Sequence, residues 1–195
     1  LSGARTISLP AGVAHFLEHK LFENEDCDVF DLYAKTGANA NAFTSFDKTC
    51  YFFSCSDHFP ESLKILLSFV QSPYFTPESV AKEQGIIGQE IRMCNDDPGW
   101  RVFFNMLSGL YQKHPVRIDI AGTIESIAQI TDDLLYRCYR TFYNLHNMVL
   151  AVAGNCTADQ VLEIADELLK PCEDQKLETV FPEESLDIVR PETVE

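Results

Sequence analysis

Residues 11–22, Ala11-Gly12-Val13-Ala14-His15-Phe16-Leu17-Glu18-His19-Lys20-Leu21-Phe22, carry a structural and a chemical signal at once. Val13, Phe16, Leu17 and Leu21 recur at helical spacing, which predicts a helix with one buried face. On that helix His15 and His19 stand four apart, one above the other, so two imidazoles can reach a single ion. Glu18 follows His15 by three and shares that edge, where a carboxylate can touch a metal-bound water without being a ligand. A catalytic zinc takes three protein ligands, keeps one position open and lowers the pKa of its bound water to about 7. A carboxylate beside that water can take its proton and later pass it to a leaving amine.

The order His-x-x-Glu-His mirrors the more familiar His-Glu-x-x-His and is the inverzincin pattern. A third ligand is sought along the chain. Thr76 is a good N-cap with Pro77 at the first helical position, predicting a helix to about Cys94 that carries Glu83 and Glu90. Seven residues apart, these share a face, with Cα atoms about 10 Å apart along the axis. One ion can hardly take both, so one is a ligand and the other orients a histidine or substrate. Spacing does not choose between them. Gly85 and Gly88 lie inside this helix, where each costs about 1 kcal/mol relative to Ala. They are expected to let it approach the zinc helix closely.

Outward from these two helices the elements follow from local signals. After a short leader over residues 1–10, Asp28 to Lys35 reads as a helix stopped by Gly37. Asn39 to Phe43 and Thr49 to Cys55 read as strands joined by a turn over Ser45 to Lys48. Pro60 opens a helix that ends before Pro73, Asp97-Pro98 opens another, and Thr123 and Thr131 each start one more. Met148 to Ala153 reads as a buried-type strand and Ala158 to Leu169 as a closing helix. There is no βαβ alternation, so the class is α+β: two layers, an antiparallel sheet packed under helices. Residues 1–170 form one unit, and the acidic, proline-interrupted stretch 171–195 reads as a linker or extended exit.

The 195 residues include 15 Lys+Arg and 30 Asp+Glu, a net charge of −15. That balance argues against nucleic acid and favours basic peptides among the partners. Apolar runs such as Ile65 to Val70 are far shorter than the roughly 18 residues of a membrane span. The seven Cys form no CxxC pair, which suits reduced thiols in a cytoplasmic protein better than a disulfide framework. His58, His114 and His146 sit in turn-like contexts and read as loop histidines. Phe103, Phe104, Tyr139, Phe142 and Tyr143 read as core or interface. A chain that opens at Leu1 and closes in an acidic stretch is expected to be a piece of a longer one.

His15-Phe16-Leu17-Glu18-His19, followed 71 positions after His19 by Glu90, resembles the pitrilysin, insulysin and mitochondrial processing peptidase family. Asn41-Ala42-Phe43-Thr44-Ser45 before an aromatic strand matches too, as do Gly122-Thr123 with Ile127 and Ile130, and Asn147-Met148 running on to Gly154. The strings His19-Lys20-Leu21-Phe22-Glu23, Gly88-Gln89-Glu90-Ile91 and His114-Pro115-Val116-Arg117 are similar to a bacterial, cytosolic-type branch. The likeness covers about residues 11–170.

The resemblance implies one zinc per chain, with His15, His19 and Glu90 as ligands and Glu18 as general base. It places Glu83 in support of the site without ligating. Asn41 and Ala42 then lie on an edge strand that lays out a peptide or small protein substrate as an added strand. It implies the N-terminal half of a metallopeptidase of the mitochondrial processing peptidase type, lacking its first strands. A second homologous half, on the same chain or on a partner subunit, closes the chamber. The expected function is a zinc-dependent endopeptidase, weak or inactive as this piece alone. The alternative is a non-catalytic scaffold or peptide-binding subunit of the same fold; in such scaffolds the metal motif is usually eroded, and here all four positions are intact.

Overall fold

The computed structural model describes residues 8–187 apart from Asp26 and Gln175, so readings that fall on residues 1–7 and 188–195 lie outside the described residues. Helix α1 runs Val13–Leu21 and α2 Val29–Thr36, closed by Gly37 in the left-handed conformation. Strands β1 (Asn39–Thr44) and β2 (Thr49–Ser54) follow. Then come α3 (Phe59–Phe69), α4 (Pro77–Asp96), α5 (Pro98–Leu110), α6 (Ile124–Ile127), α7 (Asp132–Phe142) and α8 (Ala158–Leu168).

Helix starts are set by side chains that satisfy otherwise orphaned N–H groups. The hydroxyl of Thr76 accepts from Ser79 N–H while Ser79 Oγ accepts from Thr76 N–H, and Asp97 Oδ1 accepts from Trp100 N–H. Thr131 caps α7 in the same way. These are the positions at which the sequence places helix starts.

β1 and β2 pair antiparallel, with Asn39 opposite Ser54 and Thr44 opposite Thr49. Along β1 exposure alternates, so Ala40, Ala42 and Thr44 face inward and Asn39, Asn41 and Phe43 outward. The inner face packs on a core built from Phe16, Leu17 and Leu21 of α1, Val29 and Tyr33 of α2, Ile87 and Ile91 of α4, and Leu135 of α7. A smaller cluster joins Leu63 and Leu67 of α3 to Ile164 and Ala165 of α8. This is the expected α+β arrangement, with a small antiparallel sheet against a helical layer.

The start of α1 is seated by a reciprocal backbone approach. Gly12 (φ 91°) and Gly122 (φ 76°) are both left-handed, and a Cβ on either would stand 2.5 Å from the carbonyl oxygen of Ala121 or Ala11 respectively. Ser126 Oγ also donates to Ala11 C=O at 2.8 Å. Gly122→Ala therefore meets both a left-handed backbone and a clash, and is expected to cost at least about 2 kcal/mol. Gly85 is the contrast: it is exposed inside α4, and an added Cβ meets nothing within 4 Å. Gly85→Ala should stabilise by about 0.4–1 kcal/mol by restricting the unfolded chain. Chemical denaturation of the two variants side by side checks both signs.

Two expectations are corrected. Gly85 and Gly88 do not face the zinc helix: a Cβ on Gly88 would meet Ile124 of α6 at 3.4 Å, an ordinary contact. The approach of α4 to α1 is made by Ile87, Ile91 and the glutamates instead. Met148 to Ala153 is not a strand, because among the described residues no neighbour pairs with it. Val149 is 94% exposed. An apolar run of this length takes strand structure only when another strand supplies its hydrogen bonds.

Among the described residues beyond Lys170 there is no helix or strand, but the stretch is tied to the body. Glu184 accepts from the N–H groups of Gln112, Lys113 and His114, and Phe181 stacks on His114 with ring centroids 4.7 Å apart.

Candidate metal centre

His15 and His19 share one face of α1, and Glu90 approaches that face from α4. The two Nε2 atoms are 3.2 Å apart. Glu90 Oε1 is 3.6 Å from His15 Nε2 and its Oε2 is 3.5 Å from His19 Nε2. Among the described residues these three form the one group of His, Cys, Asp or Glu whose donor atoms could share an ion.

The distances are informative. An N–H···O hydrogen bond is about 2.7–3.2 Å, so the carboxylate stands too far from either ring to be bonded to it. Donors on a tetrahedral zinc, each about 2.0–2.1 Å from the ion, lie about 3.3–3.4 Å from one another. The Nε2–Nε2 separation of 3.2 Å is close to such an edge, and the Glu90 carboxylate sets one oxygen toward each ring, at 3.6 and 3.5 Å. Two imidazoles and one carboxylate are also the donor set of catalytic zinc, with a fourth position left free. The residues present therefore fit the ion. The triangle opens to solvent on the Glu90 side: the Glu90 side chain is 42% exposed and that of His15 11%.

Glu83 stands behind His19. Its Oε1 accepts from His19 Nδ1 at 2.9 Å. A carboxylate can only accept, so a proton is on Nδ1, and Nε2 is the nitrogen of His19 that faces Glu90 and His15. About two turns of α4 thus separate a carboxylate facing the two Nε2 atoms from one bonded to the Nδ1 of His19. His15 Nδ1 is buried with no hydrogen-bond partner among the described residues, so Nε2 is the atom through which this ring is engaged.

Burial pushes the His15 pKa down, and the neighbouring His19 adds to that, against partial opposition from Glu90, Glu18 and Asp119. Burial acts on His19 as well, but the hydrogen bond and charge of Glu83, with Glu90 and Glu18, outweigh it and raise the ring's pKa. One ring is held neutral as a ready donor, and the other sits in a field of carboxylates that attracts a cation.

Glu18 is 8% exposed on the same helix, and its Oε2 accepts from Thr44 Oγ1 at 2.5 Å. That bond ties the end of β1 to α1. Asn41 and Ala42 lie on β1 but on opposite faces. Ala42 packs inward, whereas Asn41 is exposed and its Oδ1 accepts from Ala42 N–H at 2.8 Å. Neither belongs to the donor triangle. His114 and His146 are engaged elsewhere, His114 with Val116 N–H and His146 with the Cys172 carbonyl. Thr44 escaped the sequence reading. The signal was there in the strict alternation of β1, which turns Thr44 to the same inner face as Ala42.

Residues 9–124 match the family described as insulinase, peptidase family M16, and residues 129–194 match the peptidase M16 inactive domain. All of His15, Glu18, His19, Glu83 and Glu90 fall in the first stretch. The uncharacterized zinc protease YmfH of Bacillus subtilis is 54% identical over 156 residues, covering 80% of this chain and 36% of its own length. The crystal structure of an M16-like peptidase from Alicyclobacillus acidocaldarius superimposes with a TM-score of 0.88 at 45% identity, over 94% of this chain and 44% of that one. The first half of the periplasmic protease PqqL from Escherichia coli shares the fold, with a TM-score of 0.77 at 24% identity over 88% of this chain and 40% of that one. The chain thus spans less than half the length of the relatives it matches.

Proposed function

The chain belongs to the insulinase family of peptidases, family M16, and from that premise we propose that it is the metal-bearing half of a zinc-dependent peptidase. The observation that carries the reading is the convergence of His15 Nε2, His19 Nε2 and the Glu90 carboxylate, whose donor atoms lie within 4.8 Å of one another. These residues would hold one zinc. When bound, it supplies Lewis acidity toward the scissile carbonyl and lowers the pKa of a coordinated water to about 7.

The chain's own groups do the rest. Glu18 takes the proton of the attacking water and returns it to the leaving amine nitrogen. Glu83 keeps His19 in the tautomer whose Nε2 is a donor. β1 pairs with β2 along one edge only among the described residues. Its other edge offers main-chain groups to an extended peptide around Asn41 and Ala42, a docking mode that accepts many sequences. The net charge of −15 favours basic peptides or small proteins as substrates. A second homologous half, on the same chain or a partner subunit, completes the chamber, and the piece described here is weak or inactive without it.

The test uses the complete protein and a quenched fluorogenic peptide library. Hydrolysis is expected to vanish on chelation and to return with zinc, while the isolated chain binds zinc with little turnover. Hydrolysis that is indifferent to chelation would overturn the proposal.

A further inference from the structure

Behind Glu18 stand four hydroxyls for which the mechanism above has no role. Thr44 Oγ1 lies 2.5 Å from Glu18 Oε2, and Thr49 Oγ1 is 3.3 Å further on, directly across the β1–β2 ladder. The hydroxyl of Tyr143, the residue after α7, lies 2.7 Å from that of Tyr51 on β2. A hydrogen-bonded line therefore runs from the candidate base through Thr44 to Thr49, and a second pair ties the sheet to the C-terminal end of α7.

The direction of its protons follows from the group at its end. An ionised carboxylate only accepts, so Thr44 donates to Glu18, and each hydroxyl has a single proton to give. With the Thr44 proton committed, Thr49 must donate to Thr44. Burial raises the Tyr143 pKa to about 12, and burial with the neighbouring Tyr143 raises Tyr51 well above its ordinary value, so both phenols of the second pair stay protonated. Hydrogen bonds aligned head to tail polarise one another, which strengthens the last of them, the bond to the carboxylate.

We infer that Thr44 is a positioning residue for Glu18, backed by Thr49. One carboxylate oxygen is tied to the sheet, and the other is left to receive the proton of the attacking water. The inference rests on the reading of Glu18 as general base. It adds a reason for the threonine at the end of β1, where strand propensity alone would accept Val or Ile equally.

The experiment measures kcat and KM on the complete zinc-loaded protein with the same peptide library, and zinc content and Tm on the same samples. Thr44→Val keeps the branched shape and removes the hydroxyl. It is expected to lower kcat about 10- to 100-fold, the range for losing a group that orients a functional one, with KM and zinc content unchanged. Thr44→Ser restores most of that loss, and Thr49→Val, which breaks the line one hydroxyl further back, lowers kcat by a smaller factor. In a Glu18→Gln background, Thr44→Val adds nothing, because a positioning residue acts only through the group it positions. An undiminished kcat in Thr44→Val, with Glu18→Gln inactive, overturns the inference and leaves the general-base reading standing. An active Glu18→Gln protein overturns that reading itself. A raised KM at constant kcat, or lost zinc, makes Thr44 a substrate contact or a structural residue and also overturns the inference. If Thr44→Val does not fold, Thr44→Ala and Thr49→Val take its place, and unchanged kcat in both is decisive against it.

Discussion

Replacing Glu18 by Gln will leave the zinc content of the complete protein unchanged and lower kcat by about 10²–10⁴, the contribution of a positioned proton-transfer group. The substitution is nearly isosteric, which matters for a side chain 8% exposed beside the helix that bears both histidines. The amide oxygen of Gln can still accept from Thr44, so the local geometry survives. What is lost is the ability to take a proton. Glu18 is absent from the donor triangle, so the affinity for the ion should not follow the rate. Parallel metal analysis and steady-state kinetics make the check. Turnover near the wild-type rate would remove Glu18 from the mechanism, and loss of zinc would recast it as part of the metal site.

The second large effect separates the two glutamates of α4. Glu90→Gln removes the anionic member of the triangle and is expected to weaken zinc binding by more than about 100-fold, leaving dialysed protein depleted. Glu83→Gln leaves all three donors in place but loosens the orientation of His19, a change worth about 10- to 100-fold in affinity. At excess zinc it should still load fully. Zinc content after dialysis, followed by competition with a chelating dye, distinguishes them. The reverse order would assign Glu83 as the ligand and Glu90 as the orienting group. Charge cannot produce the expected difference, because both variants lose one carboxylate from the same helix. Only the direction each side chain faces differs: Glu90 toward both Nε2 atoms, Glu83 toward the Nδ1 of His19.

Much of the frame was legible along the chain because it rests on local chemistry. Thr76, Asp97 and Thr131 cap the helices they start, since a side-chain oxygen two or three residues from an orphaned N–H needs no distant partner. Gly37 ends α2 because only a residue at ease in the left-handed region closes a helix there without cost. What misled is what depends on a neighbour. The apolar run from Met148 to Ala153 has the composition of a strand and, among the described residues, no strand beside it. Gly85 and Gly88 looked like a device for close packing against α1, but one faces open space and the other Ile124.

The site divides along the same line. His15, Glu18 and His19 are set by the sequence itself, because helical spacing within five residues places two rings and a carboxylate on one edge of one element. The presence of two candidate glutamates on a second helix was equally plain. Which of them meets the histidines was not, because that depends on how α4 is rotated and crossed against α1, set by Ile87 and Ile91 in the core and by the seating of Gly12 against Gly122. The hydroxyl line to Glu18 is further still from sequence. Thr44 meets Thr49 only through strand register, and Tyr51 meets Tyr143 only because the end of α7 comes back to the sheet. Periodicity fixes which residues share a face; only packing decides which faces meet.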